Sequence, residues 1–140
     1  MCMKMVVMMR AQGTFDVTLL PQASDDKADG PSVGRLSIAK QFYGDLDATS
    51  TGQMLAVNTD VAGSAGYVSL EQVTGALHGR SGTFALQHSG TMTRGTPQLS
   101  VTVVPDSGTG QLAGLAGTMT IEIVDGGHLY ALTYTLPDAK

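Results

Sequence analysis

Apolar and polar side chains alternate along most of this chain in short runs broken by glycine-rich turns, and a period of two is the signature of half-buried strands. Residues 11–20 place Phe15, Val17 and Leu19 on one face. Residues 33–42 place Leu36, Ile38, Lys40 and Phe42 together, and the polar, breaker-rich stretch PQASDDKADGPS between them (21–32) reads as a loop. A turn at Tyr43-Gly44 leads into a strand over 45–57. Its inward face is either Leu46, Ala48, Ser50, Gly52, Met54 and Ala56 or the alternate set, with a bulge as the device that would switch faces midway. A helix of nine or ten residues around 50–60 is the other conformation this stretch allows. The same turn sets Lys40 across from Asp47, a pair that reads as a rim salt bridge more readily than as an inward ionic site.

The second half is patterned more cleanly. A turn centred on Gly79-Arg80 pairs Val73 with Leu86, Glu71 with His88, Ser69 with Gly90 and Tyr67 with Met92 on a largely apolar face, leaving Gln72, Leu70 and Val68 on the other. A turn at Gly95-Thr96 then pairs His88 with Val103, Gly90 with Val101 and Met92 with Leu99. Both turns therefore assign one interior to strand 84–94. Residues 105–117 form a glycine-rich connection. A final hairpin turned by Asp125-Gly126 pairs Ile123 with His128, Ile121 with Tyr130, Met119 with Leu132 and Gly117 with Tyr134. About eight strands joined mostly by tight turns predict an all-β fold, a closed antiparallel β-barrel that leaves no free edge, with a sandwich as the competing architecture. The expected organisation is a flexible leader over 1–10, one barrel domain over 11–136 and a tail over 137–140.

Within that interior the chemistry concentrates on Glu71 and His88. A carboxylate and an imidazole on an apolar face need partners, and each is placed to serve the other. The functional reading makes them an acid–base dyad or the polar anchor of a ligand, in a space lined also by Tyr67, Met92, Tyr130 and Tyr134. The structural reading makes them an internal ion pair that fixes the strands, with the tyrosines as core residues whose hydroxyls are tied off. His128 reads either as a residue of the barrel mouth or, more simply, as a surface side chain beside its turn. His78 and Arg80 read as solvated. His78 and His88 lie too far apart along the hairpin to share an ion, so no metal and no cofactor is expected. Asp106-Ser107-Gly108-Thr109 has the look of an aspartic-protease signature but stands alone in a turn-rich stretch and reads as a turn.

Composition narrows the classes. Only 14% of the 140 residues are charged and the net charge is −4, with eight scattered lysines and arginines. No surface for nucleic acid is expected. One cysteine, Cys2, excludes an internal disulfide and favours the cytosol, and no segment reaches the length of a membrane helix.

The segments GQML (52–55), GSAGY (63–67), EQVTG (71–75), GRSG (79–82), LQHSG (86–90) and VPDSGTG (104–110) resemble a bacterial family of uncharacterised small proteins over about residues 12–136. That family is similar in fold to the allene oxide cyclase barrel, an eight-stranded calycin-like barrel. The resemblance implies a cavity for a small apolar or amphipathic molecule and carries no cyclase residue onto this chain. The leading expectation is a cytoplasmic ligand-binding barrel. An isomerase, cyclase or hydrolase using Glu71 and His88, and a structural protein that self-associates, as a dimer, through an outer patch around Val68 and Leu70, are its rivals.

Overall fold

The alternation seen in the sequence is realised residue by residue in a computed structural model that describes residues 7–22 and 33–137. Eight strands follow in chain order: β1 (Met9–Gln22), β2 (Val33–Gly44), β3 (Leu46–Asn58), β4 (Ala65–Leu77), β5 (Arg80–Thr93), β6 (Thr96–Val103), β7 (Ala116–Val124) and β8 (Gly127–Thr135). Each pairs antiparallel with the next and β8 pairs with β1, so the sheet closes on itself as a barrel. In β3, Leu46, Ala48 and Ser50 are buried while Asp47, Thr49 and Thr51 are exposed. This is the first of the two faces considered, held without a switch and without a helix around 50–58. The strand β1 starts two residues inside the segment read as a leader, where Met9 pairs with Tyr134, and it runs through Pro21 and Gln22. Residues 1–6 of the leader with Cys2, 23–32 of the first loop and 138–140 of the tail lie outside the described residues. Among the described residues no helix is long and apolar enough to cross a membrane.

Two hairpin registers differ from the sequence expectation. The β4–β5 turn is His78-Gly79, so that Leu77 faces Arg80, Glu71 faces Leu86 and Ser69 faces His88. The β5–β6 turn is Arg94-Gly95, and His88 faces Val101. A two-residue type I′ turn needs positive φ at both central positions, and glycine takes the second. His78 and Gly79 have φ of 46° and 80°, Arg94 and Gly95 of 45° and 91°. The Asp125-Gly126 turn has the same form, with φ of 51° and 79°, and its pairing matches the expectation residue for residue. Placing glycine first moves the other two registers by two residues. An even shift leaves every side chain on its face, which is why the interior was assigned correctly from wrong pairs.

The β2–β3 connection is different in kind. Its register shifts by an odd number, so Lys40 faces Ser50 and not Asp47, which lies outside opposite Ala76. Lys40 is therefore no rim residue.

One end of the barrel is packed shut. Phe42, Leu46, Leu77, Phe84 and Leu132 are buried there, and Leu112 and Leu115 from the glycine-rich connection plug the opening. The connection is a single 3-10 turn (Gly110–Leu112). It also serves the seam where β6 and β7 share only two residue pairs. The Ser107 hydroxyl accepts from the Ala85 amide, the Thr109 amide donates to the Thr83 carbonyl, and the Thr109 hydroxyl accepts from the Thr83 amide. The Asp-Ser-Gly-Thr run is thus part of a strap along β5, in agreement with its reading as a turn.

Candidate functional site

The upper half of the barrel is built from the end of β1, the start of β2, the end of β3, the start of β4 and the strands that follow in the same sense. Their inward side chains do not fill it. Phe15, Val17, Leu19, Ile38, Met54, Leu99, Ile121 and Ile123 wall a cup of about 220 Å³, and Lys40, Tyr67, Ser69, His88 and His128 supply its polar groups. At about 30 Å³ per water molecule, that space is worth about seven waters. It has room for a small molecule.

Directly beneath lies an ionic cluster. The Lys40 Nζ stands 2.8 Å from Glu71 Oε2, and the His88 Nε2 stands 3.3 Å from the same oxygen. The Ser50 hydroxyl donates to Glu71 Oε1 at 3.3 Å. The Glu71 side chain has no exposure and that of Lys40 only 7%. Burial alone pushes the Glu71 carboxyl up. The nearby His88 ring nitrogen and the Lys40 ammonium outweigh it, so the carboxyl lies below its ordinary value and is ionised at neutral pH. Neither approach to Oε2 has the angle of a formed hydrogen bond, and the His88 Nε2 is likewise without an aligned partner. A buried ion pair with slack geometry contributes little stability for what its desolvation costs.

Glycines make the cluster possible. Gly52 pairs with Glu71, and a Cβ on Gly52 would lie 2.2 Å from the Leu70 carbonyl oxygen, so the strands can approach and Glu71 can enter only beside glycine. Gly90 pairs with Tyr67, whose ring lies across it, 2.4 Å from where a Cβ would sit. Burial, and then the Glu71 charge, push the Tyr67 hydroxyl up, so it remains a hydrogen-bond donor at neutral pH.

The structure brings the rings of Tyr67 and His88 to 6.4 Å of each other facing the cup, with Glu71 behind His88. The other nominated residues are elsewhere. Met92 is 40% exposed at the rim. Tyr130 is at the packed end, where its hydroxyl accepts from the Leu46 amide and donates to the Tyr43 carbonyl, both at 2.9 Å. Tyr134 meets the Nδ1 of His78, whose Nε2 lies 3.5 Å from Asp45 Oδ2. His78 is exposed, as expected, but its ring is also tied to Tyr134 and to Asp45 at the barrel end. The sequence reading favours a rim salt bridge with Asp47 for Lys40, gives Ser50 and Ser69 inward positions without a role, and prefers a surface position for His128, which in the structure stacks on Phe15 at 4.9 Å. The signal for Lys40 was present, since it shares a face with Ile38 and Phe42. No group of three or more acidic, histidine or cysteine side chains suited to a metal ion occurs among the described residues.

Fold and site together define a small antiparallel barrel with a plugged base and an apolar cup over a buried carboxylate–ammonium–imidazole floor. The chain belongs to the DUF3224 family, described as proteins of unknown function, whose pattern matches residues 11–134. A crystal structure of a DUF3224 protein of unknown function from Shewanella oneidensis MR-1 is 47% identical, with a TM-score of 0.90 covering 95% of this chain and all of that one. No curated protein matches.

Proposed function

We propose that this barrel binds one small apolar or amphipathic molecule in its upper cup. The observation that carries the reading is the pairing of an unfilled, apolar-walled space with the polar groups of Lys40, Tyr67, Ser69 and His88, which line it above the buried Glu71. Its likeness to the allene oxide cyclase barrel belongs to the same proposal and extends to a ligand held inside the barrel, not to cyclase chemistry. A cytoplasmic site of action fits the single cysteine. Native mass spectrometry of gently purified protein, with extraction and identification of any retained compound, tests the reading. A one-to-one adduct lost in the cup-filling variant Met54→Trp is expected. An adduct that survives this substitution places the compound outside the cup and refutes the reading.

A second reading concerns self-association. Leu55, Val68 and Leu70 are 45%, 51% and 56% exposed on the outside of β3 and β4, beside Gln53, Gln87 and Ser89. The patch carries no charge, so two copies of this acidic chain can meet there without like-charge repulsion. Sedimentation of the wild type against Leu70→Lys decides it. A dimer that becomes a monomer supports the reading, and a monomeric wild type ends it.

A further inference from the structure

The one side chain of fixed charge that lines the cup is a cation, and no carboxylate lines it to offset that charge. Lys40 can only donate hydrogen bonds. The Tyr67 and Ser69 hydroxyls and the rings of His88 and His128 can each donate, and none of the residues lining the cup is a carboxylate. The one carboxylate of the cluster, Glu71, is sealed behind them, its two oxygens turned towards Lys40, His88 and Ser50. The Lys40 ammonium has three donors, and Glu71 Oε2, 2.8 Å away, is the one carboxylate oxygen beside it. The Phe15 ring, 4.9 Å from the ammonium, offers a π-face but no oxygen acceptor. The ion pair thus presents its positive end to the cup and hides its negative end.

We infer that the ligand of this cup is a small organic monoanion, a carboxylate or chemically equivalent oxyanion, whose head group accepts hydrogen bonds from Lys40 and Tyr67 while its apolar remainder lies against Ile38, Met54, Ile121 and Ile123. This rests on the cup being the binding site and adds the charge and size of what it takes. The cup, about 220 Å³, has room for the head group and a short aliphatic or single-ring remainder. Glu71 is a positioning residue here. It holds the Lys40 ammonium in place through their 2.8 Å contact.

The test uses three probes with one carbon skeleton: hexanoate, hexan-1-ol and hexylamine. Binding is followed through the methyl NMR signals of Ile38, Met54, Ile121 and Ile123, which report entry into the cup itself. Hexanoate is expected to bind about tenfold more tightly than hexan-1-ol, the effect of one charge-assisted hydrogen bond, and hexylamine more weakly than either. In the double variant Lys40→Met/Glu71→Gln, which removes both buried charges together, hexanoate and hexan-1-ol are expected to bind alike. Equal binding of acid and alcohol to the wild type, or a preference for the amine, overturns the monoanion while leaving the cup as a binding site. A preference for hexanoate that persists in the double variant overturns the role of Lys40. If none of the three moves the cup methyls, the binding-site reading fails and the monoanion with it.

Discussion

Replacing Lys40 by Met strands an ionised carboxylate inside the barrel, and the structure fixes how that cost must vary with pH. At 2.8 Å and an effective dielectric of about 20, the Lys40–Glu71 attraction is about 6 kcal/mol before desolvation is counted. The loss cannot reach that figure, because the abandoned carboxyl can take up a proton. Protonating a group whose ordinary value is 4.5 costs about 1.36 kcal/mol for each pH unit above it, or about 3 kcal/mol at pH 7. In the wild type the folded carboxyl lies below 4.5, so its stabilisation is fully present above 4.5 and is lost as pH falls towards the folded value. In Lys40→Met burial still raises the carboxyl and His88 is the main group left to oppose it, so the folded value is expected to rise above 4.5; the native state then holds a proton that the unfolded chain releases and stability falls as pH rises. The difference between the two proteins therefore grows from pH 4.5 to pH 7.

Thermal unfolding followed by circular dichroism reads this out. For a chain of this length about 3 kcal/mol corresponds to a Tm lower by about 10 °C at pH 7, with most of the gap closed near pH 4.5. The double variant Lys40→Met/Glu71→Gln should recover to within about 1 kcal/mol of the wild type, since replacing both members of a buried pair is far milder than breaking it. A Tm gap of the same size at both pH values would falsify the assignment of Glu71 as a charged group held by Lys40.

Other parts of the molecule give sharper yes-or-no results. Tyr130→Phe removes the acceptor of the buried Leu46 amide and should cost about 1–3 kcal/mol in urea unfolding, with the cup methyl signals unmoved; a shift of those signals would tie the two ends of the barrel together. Gly52→Ala drives a methyl group against the Leu70 carbonyl and should cost about 1–3 kcal/mol or more while displacing Glu71, and a wild-type Tm would refute the close approach of β3 and β4. Wild-type stability alone should fall below pH 4.5 as Glu71 takes up its proton, less steeply in Glu71→Gln; identical acid profiles would deny Glu71 its lowered pKa.

The barrel and its interior were legible because both depend on parity. Alternation in β4 and β5 assigns Glu71, Ser69 and His88 inward whatever the pairing, and the turn errors of two residues left that parity untouched. What was not legible depends on distance across the barrel. Lys40 on β2 reaches Glu71 on β4 past Ser50 on β3, and no local pattern connects three strands at one level. The expectation for Lys40 failed on a single odd shift at Gly44–Leu46, where the turn is wider than a two-residue hairpin. Tyr130 and Tyr134 illustrate the complementary limit: facing inward is a property of one strand, whereas depth in the barrel is set by the stagger of all eight. The same stagger explains why a charge was placed where burial is costly. Three neighbouring strands each contribute one polar inward residue at a single level, with Ser50 and Gly52 small enough to let the carboxylate in. Below that level every buried position on β2 to β5 is apolar or alanine. The polar layer therefore divides a packed half, which supplies the stability, from an unfilled half that does not, and a division of that kind is expected where the open half is kept for a ligand.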